Sequence, residues 1–498
     1  MAVLPAPLRD RKFVGKLFQE NLGAWLYEPR HWRVDLKDIK KVSIGFLNFS
    51  PPRYDFLISA TLANGQTLQF YNGLVAEESA HETEMIYGTL KLGRFRFRFV
   101  DGYTNSKYVQ DLLEAWCRKK KLGSLGFVGQ FVDVVGEAHV KITKLEPLNK
   151  RGQEATTNYL YRCKGSVEFS SRKLDFDIVA KRFLPRIPFN RGNNEYAILR
   201  ALPSGIVPNV HGALVNRQLQ VNGESQVLVL FSDFLEGAVE IGKQIWDLMN
   251  AISRKRSLCK GTESELERLT IIVKEAIDRV VFPFHKGCFE KWHSPGFTIR
   301  QDDEYHKWYR LELEQNLKSL RLAKVLTLKR AKTLSKLFKT AWTQILGRIV
   351  VTEIHHDLMW RQILKAKDRL VILDLDEHMK GHAAKDLADL CAANRFIAED
   401  LRPVQHEYVR SIAEDLNTLI LKSYMKNAEE MNAAWAANLE DALKVYLAYR
   451  HLHDAAYYAP VWRQAETARE KINYKRYVDF SLNWLEKSEK LVEELLET

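Results

Sequence analysis

The stretch Val351–Leu390 reads VTEIHHDLMWRQILKAKDRLVILDLDEHMKGHAAKDLADL, and its spacing decides how the chain folds. Ile363 and Leu364, then Leu370, Val371, Ile372 and Leu373, make two short apolar runs. Between them Lys365–Arg369 is a polar turn centred on Lys367-Asp368. Two apolar runs about a polar turn predict a β-hairpin. That hairpin sets Gln362 and Asp374 side by side at its open end. Asp357 stands five residues before Gln362 and follows His355 and His356. Two carboxylates and an amide on a loop and a hairpin suit phosphoryl transfer. Asp357 can accept the proton of an attacking hydroxyl, and Gln362 and Asp374 offer oxygens to a magnesium ion on the ATP phosphates. Leu387, Leu390 and Cys391 space an amphipathic helix after the site.

Upstream, Phe176–Phe183 reads FDIVAKRF, an apolar strand with Lys181 near its end. A helix follows at Gly192–Leu202, carrying Glu195 and stopped by Pro203. A strand lysine paired with a helix glutamate neutralises the α- and β-phosphates of ATP; the plainer alternative is an edge lysine facing water. Gln226–Gly237, QVLVLFSDFLEG, runs a strand at Val227–Phe231 into a hinge whose backbone can meet adenine. The chain has no GxGxxG or GxxxxGK[ST] pattern. Glu154–Tyr161, EATTNYLY, offers Thr156, Thr157 and Asn158 to phosphate, or is an ordinary polar turn before a strand.

HHDLMWRQIL followed by ILDLDE and DLADL resembles the phosphotransferase superfamily of aminoglycoside kinases. Gln362, where most members carry Asn, resembles the maltokinase branch, as do the EATTN turn and the strand-rich N-terminal region. The resemblance covers most of the chain, weakly outside the motifs. It implies an α+β, bilobal protein-kinase-like fold: a small β-rich nucleotide lobe at residues 141–236 and a large helical lobe at 237–498, preceded by a strand-rich cap domain at 1–140. It implies an ATP-dependent sugar kinase using Mg2+, with maltose phosphorylated at its anomeric oxygen. Asp357 is then the base. Lys181, held by Glu195, meets the α- and β-phosphates, with Thr156, Thr157 and Asn158 over them. Gln362 and Asp374 bind the metal. Asp376 binds a second magnesium or water, or faces solvent. His355 and Asp386 brace the catalytic loop, and His285 is structural. The chain departs from the pattern at His356, where Gly is usual, and at Met359, Trp360 and Arg361, which are expected to border the acceptor pocket. Glucosamine or another sugar is therefore an alternative acceptor, and a catalytically silent ATP-sensing scaffold is the alternative from another class.

Composition agrees. Of 498 residues, 46% are hydrophobic and 28% charged, an ordinary globular balance. No apolar run of roughly 18 residues occurs, so no membrane partner is expected. MAVLPAPLRDRKF has no signal-type apolar core, and a cytoplasmic location is expected. Cys117, Cys163, Cys259, Cys288 and Cys391 form no CxxC and read as reduced thiols. The net charge of +12 raises nucleic-acid binding. The basic runs Arg118–Lys121, Arg254–Arg256 and Lys318–Lys339 are instead expected to be charged outer faces and ends of helices, and the last is interleaved with leucines. No nucleic-acid partner is expected, only ATP and a small sugar.

Local patterns fill in the rest. Asp55–Leu62 and Thr67–Asn72 flank Asn64-Gly65, a hairpin signal. RFRFRFV at Arg94–Val100 alternates strictly, and Lys107–Lys119 is expected to be a helix. Apolar periodicity predicts helices at Ile241–Ile252, Leu266–Phe282, Tyr305–Leu322, Leu326–Leu346, Val404–Lys422, Ala428–His453 and Lys475–Leu496.

Overall fold

Alternating apolar residues shape the N-terminal part of the chain. The computed structural model describes residues 4–23, 36–78, 85–132, 138–148, 158–169, 172–183, 191–203, 205–221, 223–254, 262–292, 303–367, 369–401 and 406–497. The chain divides into two units, Met1–Arg200 with Pro208–Leu235, and Ala201–Val207 with Glu236–Thr498.

In the first unit, α1 (Arg11–Glu20) is capped by Asp10, whose carboxylate accepts from the Lys12 N–H at 2.8 Å. Its Val14 and Phe18 bury against an antiparallel sheet. The strands are β1 (Ile39–Ser50), β2 (Arg53–Leu62), β3 (Thr67–Glu77), β4 (Ile86–Leu92) and β5 (Phe95–Asp101), in the order β1-β2-β3-β5-β4. Gly65 takes φ 83° in the expected β2–β3 turn, a region open to glycine at no steric cost. The alternation in β5 buries Phe97 and Phe99, while Phe95 at its start is exposed. Asn105 then caps α2 (Ser106–Cys117) by accepting from the Tyr108 N–H.

A second antiparallel sheet holds β6 (Leu125–Gly129), β7 (Ala138–Pro147), β8 (Tyr159–Phe169), β9 (Arg172–Arg182), β10 (Val210–Val221) and β11 (Glu224–Asp233), in the order β6-β10-β11-β9-β8-β7. β6 precedes residue 140 in the chain yet forms one edge of this sheet. One apolar cluster around α2 takes Tyr71 and Val100 from the first sheet and Tyr161, Ile178 and Val229 from the second. α3 (Arg191–Ala201) is tied to β11 by Asn193, which donates to Ser225 O at 3.1 Å and accepts from the Val227 N–H at 2.8 Å.

The second unit is mainly helical. After β12 (Val239–Glu240) come α4 (Ile241–Ser253), α5 (Glu263–Ala276), α6 (Phe282–Trp292), α7 (Asp303–Leu322) and α8 (Leu328–Gln344). The expected stop near Phe282 is not one: a π turn over Ile277–Val281 carries α5 into α6. Pro283 explains it, because its ring and missing N–H cannot fit an unbroken α-helix. β13 (Thr352–Ile354), β14 (Ile363–Ala366), β15 (Arg369–Ile372) and β16 (Met379–Gly381) form the functional segment. β14 and β15 are the predicted hairpin, paired from Ile363↔Ile372 to Ala366↔Arg369. The pairing reaches further than the pattern suggested, because Lys367 adopts φ 51° and leaves residues 367–368 as the whole connection. Asp368 lies outside the described residues. β13 pairs with β16, and β12 with β14.

α9 (Ala383–Asp400), α10 (His406–Glu430), α11 (Leu439–Gln464) and α12 (Ala468–Glu497) complete the unit. The periodicity read as one helix over Ala428–His453 is broken between α10 and α11, where Asn432 and Asn438 take φ 50° and 57°. Among the described residues no helix is long and apolar enough to cross a membrane.

Candidate active site

The first unit contributes a buried ion pair. β9 lies between β8 and β11, so Lys181 is not an edge lysine. Its Nζ sits 2.6 Å from Glu195 Oε2 of α3, and both side chains are buried. Strand alternation sends the next residue, Arg182, to the opposite face. There it is fully buried, 2.9 Å from Asp101 and donating to the Tyr87 hydroxyl at 3.0 Å. Asn158 is buried at the start of β8. Thr156 and Thr157 lie outside the described residues.

In the second unit the loop between β13 and β14 carries Asp357, and Asp386 at the start of α9 fixes it. The Asp386 carboxylate accepts from the His355 N–H at 2.7 Å and the His356 N–H at 2.9 Å. Behind it runs a proton-ordered chain. Trp435 Nε1 donates to the Tyr424 hydroxyl at 2.9 Å, which stands 2.8 Å from His285 Nδ1, and His285 Nε2 stands 3.0 Å from Asp386. A carboxylate only accepts, so His285 Nε2–H donates to Asp386; an indole only donates, so the Tyr424 oxygen accepts from Trp435. Burial pushes the Asp386 carboxyl up; the His285 and His355 contacts outweigh it and hold it below its ordinary value. His285 is thus structural. His355 Nε2 donates to Leu373 O at 2.7 Å, bracing the loop against the end of the hairpin.

Lys385, one residue before Asp386, donates to His356 O at 2.9 Å and pairs with Asp389 at 2.7 Å. His356 is therefore gripped at both its N–H and its C=O while it holds φ 78°. A left-handed backbone there accounts for glycine at this point of the pattern. Here the imidazole instead packs edge to face with Trp308 of α7, ring centres 4.2 Å apart.

Asp357 follows, its side chain 47% exposed and 3.7 Å from Arg450 of α11. The same guanidinium reaches Asp389 at 3.0 Å and Asp454 at 3.0 Å. The Leu373 N–H donates to Gln362 O at 2.8 Å, which puts Gln362 and Asp374 at one end of the hairpin as expected. Gln362 is buried, and its Oε1 accepts from the Met359 N–H at 2.6 Å, leaving one lone pair of that oxygen for another partner. Asp374 is exposed and left-handed, with φ 63° and ψ 48°. Non-glycine residues held there cost about 1–3 kcal/mol and cluster at functional sites. Asp376 is buried, which removes the option that it simply faces solvent. Trp360 does not border a pocket either. It is 2% exposed and donates from Nε1 to Asn394 Oδ1 at 2.8 Å, inside the helical core.

An exposed carboxylate and a buried amide oxygen at one hairpin end fit an ion of oxygen preference that keeps phosphate and water ligands. Among the described residues no cluster of three or more His, Cys, Asp or Glu could hold a metal alone, so such a two-ligand site is the form available.

Solved structures with a similar fold exist. A glucosamine kinase in complex with glucosamine, ADP and inorganic phosphate matches with a TM-score of 0.52 at 14% identity, over 95% of this chain and 98% of that one. A second crystal form of a glucosamine kinase matches with a TM-score of 0.53 at 14% identity, over 95% and 99%. The chain has a protein-kinase-like fold. No family model and no curated protein sequence matches it.

Within this protein-kinase-like fold, the sequence pattern anticipated the Lys181–Glu195 pair and the shared hairpin end of Gln362 and Asp374. It missed Lys385, Asp389 and Arg450. Lys385 and Asp389 were within reach, being four apart on the helix that carries Asp386. Arg450 has no such signal: it lies 61 residues beyond its partner Asp389.

Proposed function

We propose that the protein is an ATP-dependent phosphotransferase that phosphorylates a sugar hydroxyl. The carrying observation is the hairpin that sets Gln362 beside Asp374, downstream of an Asp357 loop clamped by Asp386. Asp357 orients the acceptor hydroxyl and takes its proton. Arg450, shared among three carboxylates, keeps Asp357 in place without sealing it from the acceptor. Lys181, kept charged and oriented by Glu195, meets the α- and β-phosphates of ATP. Gln362 and Asp374 would hold magnesium, which supplies charge neutralisation on the phosphates.

Two acceptors have separate support. The HxDxxxxQ spacing and the EATTN turn, by resemblance, favour maltose and a sugar 1-phosphate product. The fold match to a glucosamine kinase favours glucosamine. Incubating the full chain with Mg-ATP and single mono- and disaccharides, reading ADP release and then phosphorus NMR of the product, tests the proposal. A phosphate on an anomeric carbon supports the maltokinase reading. A sugar phosphate formed from glucosamine supports the other. The absence of both ADP release and a sugar phosphate with every saccharide would leave the silent-scaffold reading.

A further inference from the structure

Beside Asp357 lies a second cluster of polar groups that the reaction above does not use. Glu312 stands one turn along α7 from Trp308, the residue that meets His356. His453 stands one turn along α11 from Arg450, the residue that meets Asp357. These two join: His453 Nδ1 is 3.4 Å from Glu312 Oε1, and Glu312 Oε2 accepts from the Tyr449 hydroxyl at 2.6 Å. The pair is therefore tied to the catalytic loop from both helices. One helical turn, about 5.4 Å, is also roughly the breadth of a sugar ring.

The cluster is open and incompletely bonded. The Glu312 and His453 side chains are 19% and 36% exposed, whereas Asp389 and Asp454 behind them are buried. His453 Nδ1 is turned to Glu312, and among the described residues His356 Nε2 has no hydrogen-bond partner. A buried polar nitrogen without a partner is uncommon in folded proteins and calls for an explanation such as a ligand. Charge narrows the ligand. Burial pushes the Glu312 carboxyl up, but His453, His356 and the Tyr449 hydrogen bond outweigh it and bring it down to about 2. Burial opposes a charge on His453, and Glu312 outweighs that too, lifting it above its ordinary value. Glu312 thus already has a cation beside it, as Asp389 and Asp454 have Arg450. No carboxylate here waits for an ammonium group.

We propose that Glu312 and His453 form the acceptor subsite, and that it takes a neutral polyhydroxylated molecule, a hexose or disaccharide, through a pair of adjacent hydroxyls while another hydroxyl reaches Asp357. The subsite rests on the sugar-kinase reading above. Adjacent hydroxyls suit the pair because each can donate to the carboxylate and accept from the imidazole.

The test is steady-state kinetics of the full chain and its Glu312→Gln and His453→Gln variants, with glucose, maltose and glucosamine as acceptors. Losing a hydrogen bond to a charged group should raise the acceptor KM by about tenfold or more. The ATP KM should stay within about twofold. Tyr449→Phe, which removes a hydroxyl bonded to Glu312 but leaves the pair, is the fold control and should raise the acceptor KM less. An acceptor KM unchanged in both Gln variants, or acceptor and ATP KM rising together, overturns the subsite while leaving the kinase reading intact. A wild-type preference for glucosamine over glucose that Glu312→Gln erases overturns the neutral class. A wild-type chain that turns over none of the saccharides overturns the kinase reading and the subsite with it.

Discussion

The two units anchor their charged groups in opposite ways. In the first, Lys181 has Glu195 fourteen residues away, on the next helix. In the second, Asp357 faces a guanidinium divided among three carboxylates, on a loop whose backbone is held by a carboxylate 30 and 31 residues on. A close buried pair is costly to break, since removing either member takes from the other an opposite charge 2.6 Å away. A shared cation is graded, because loss of one partner redistributes its bonds over the rest. The Lys181 charge is thus fixed by local structure, and the Asp357 charge by packing between distant helices.

The sharpest break concerns the loop. Asp357→Asn should lower kcat by about 10²–10⁴-fold with Mg-ATP binding retained, because only a carboxylate there accepts the hydroxyl proton. Rapid-quench turnover and calorimetry of Mg-ATP binding measure the two effects, and near-wild-type kcat would remove the assignment. Next comes the pair. Lys181→Met takes from the buried Glu195 the cation 2.6 Å away, which should cost about 3–5 kcal/mol in urea unfolding. Lys181→Met with Glu195→Leu should regain much of that stability without regaining ATP affinity; failure to regain it would mean that the two charges are not coupled as described.

Asp386→Asn should cost about 1–3 kcal/mol, since it swaps a carboxylate oxygen for an amide facing a donor. Its pH signature follows from its lowered carboxyl. A depressed folded value gives stability that is complete above the ordinary carboxylate range and drains away as pH falls through that range and below it. The wild-type chain should therefore lose stability in acid more steeply than the Asn variant, and parallel acid profiles would contradict the clamp. Smallest of all is His356→Gly. Relief of the left-handed backbone, about 1–2 kcal/mol, should nearly cancel loss of the Trp308 contact, about 0.5–1.5 kcal/mol. Thermal unfolding within a few degrees of wild type is expected, and a large drop would show that the aromatic contact dominates.

What the sequence made legible follows the same division. The hairpin, Lys181 and Glu195 were readable because their partners are near in the chain and obey a strand or helix period. The apolar run before Asp374 gave the strand, though not the left-handed turn that exposes its carboxylate. Trp360 was misplaced because its size says nothing about direction; only Asn394, a helix away, reveals that it points inward. Arg450, Glu312 and His453 come from two helices whose register on each other no local pattern encodes. β6 was absorbed into the preceding region because a five-residue strand with two glycines carries little alternation.

The cluster around α2 has a consequence for how the molecule comes apart. It draws on both sheets of the first unit, and Arg182, back to back with Lys181, is buried against Asp101 from the first sheet. The N-terminal sheet is therefore not an attachment that can be trimmed away. Cutting the gene after α2 would strip one wall from the core that supports β9. Amide protons of β3, β5, β8 and β9 should then exchange with one common opening energy, as a single foldon.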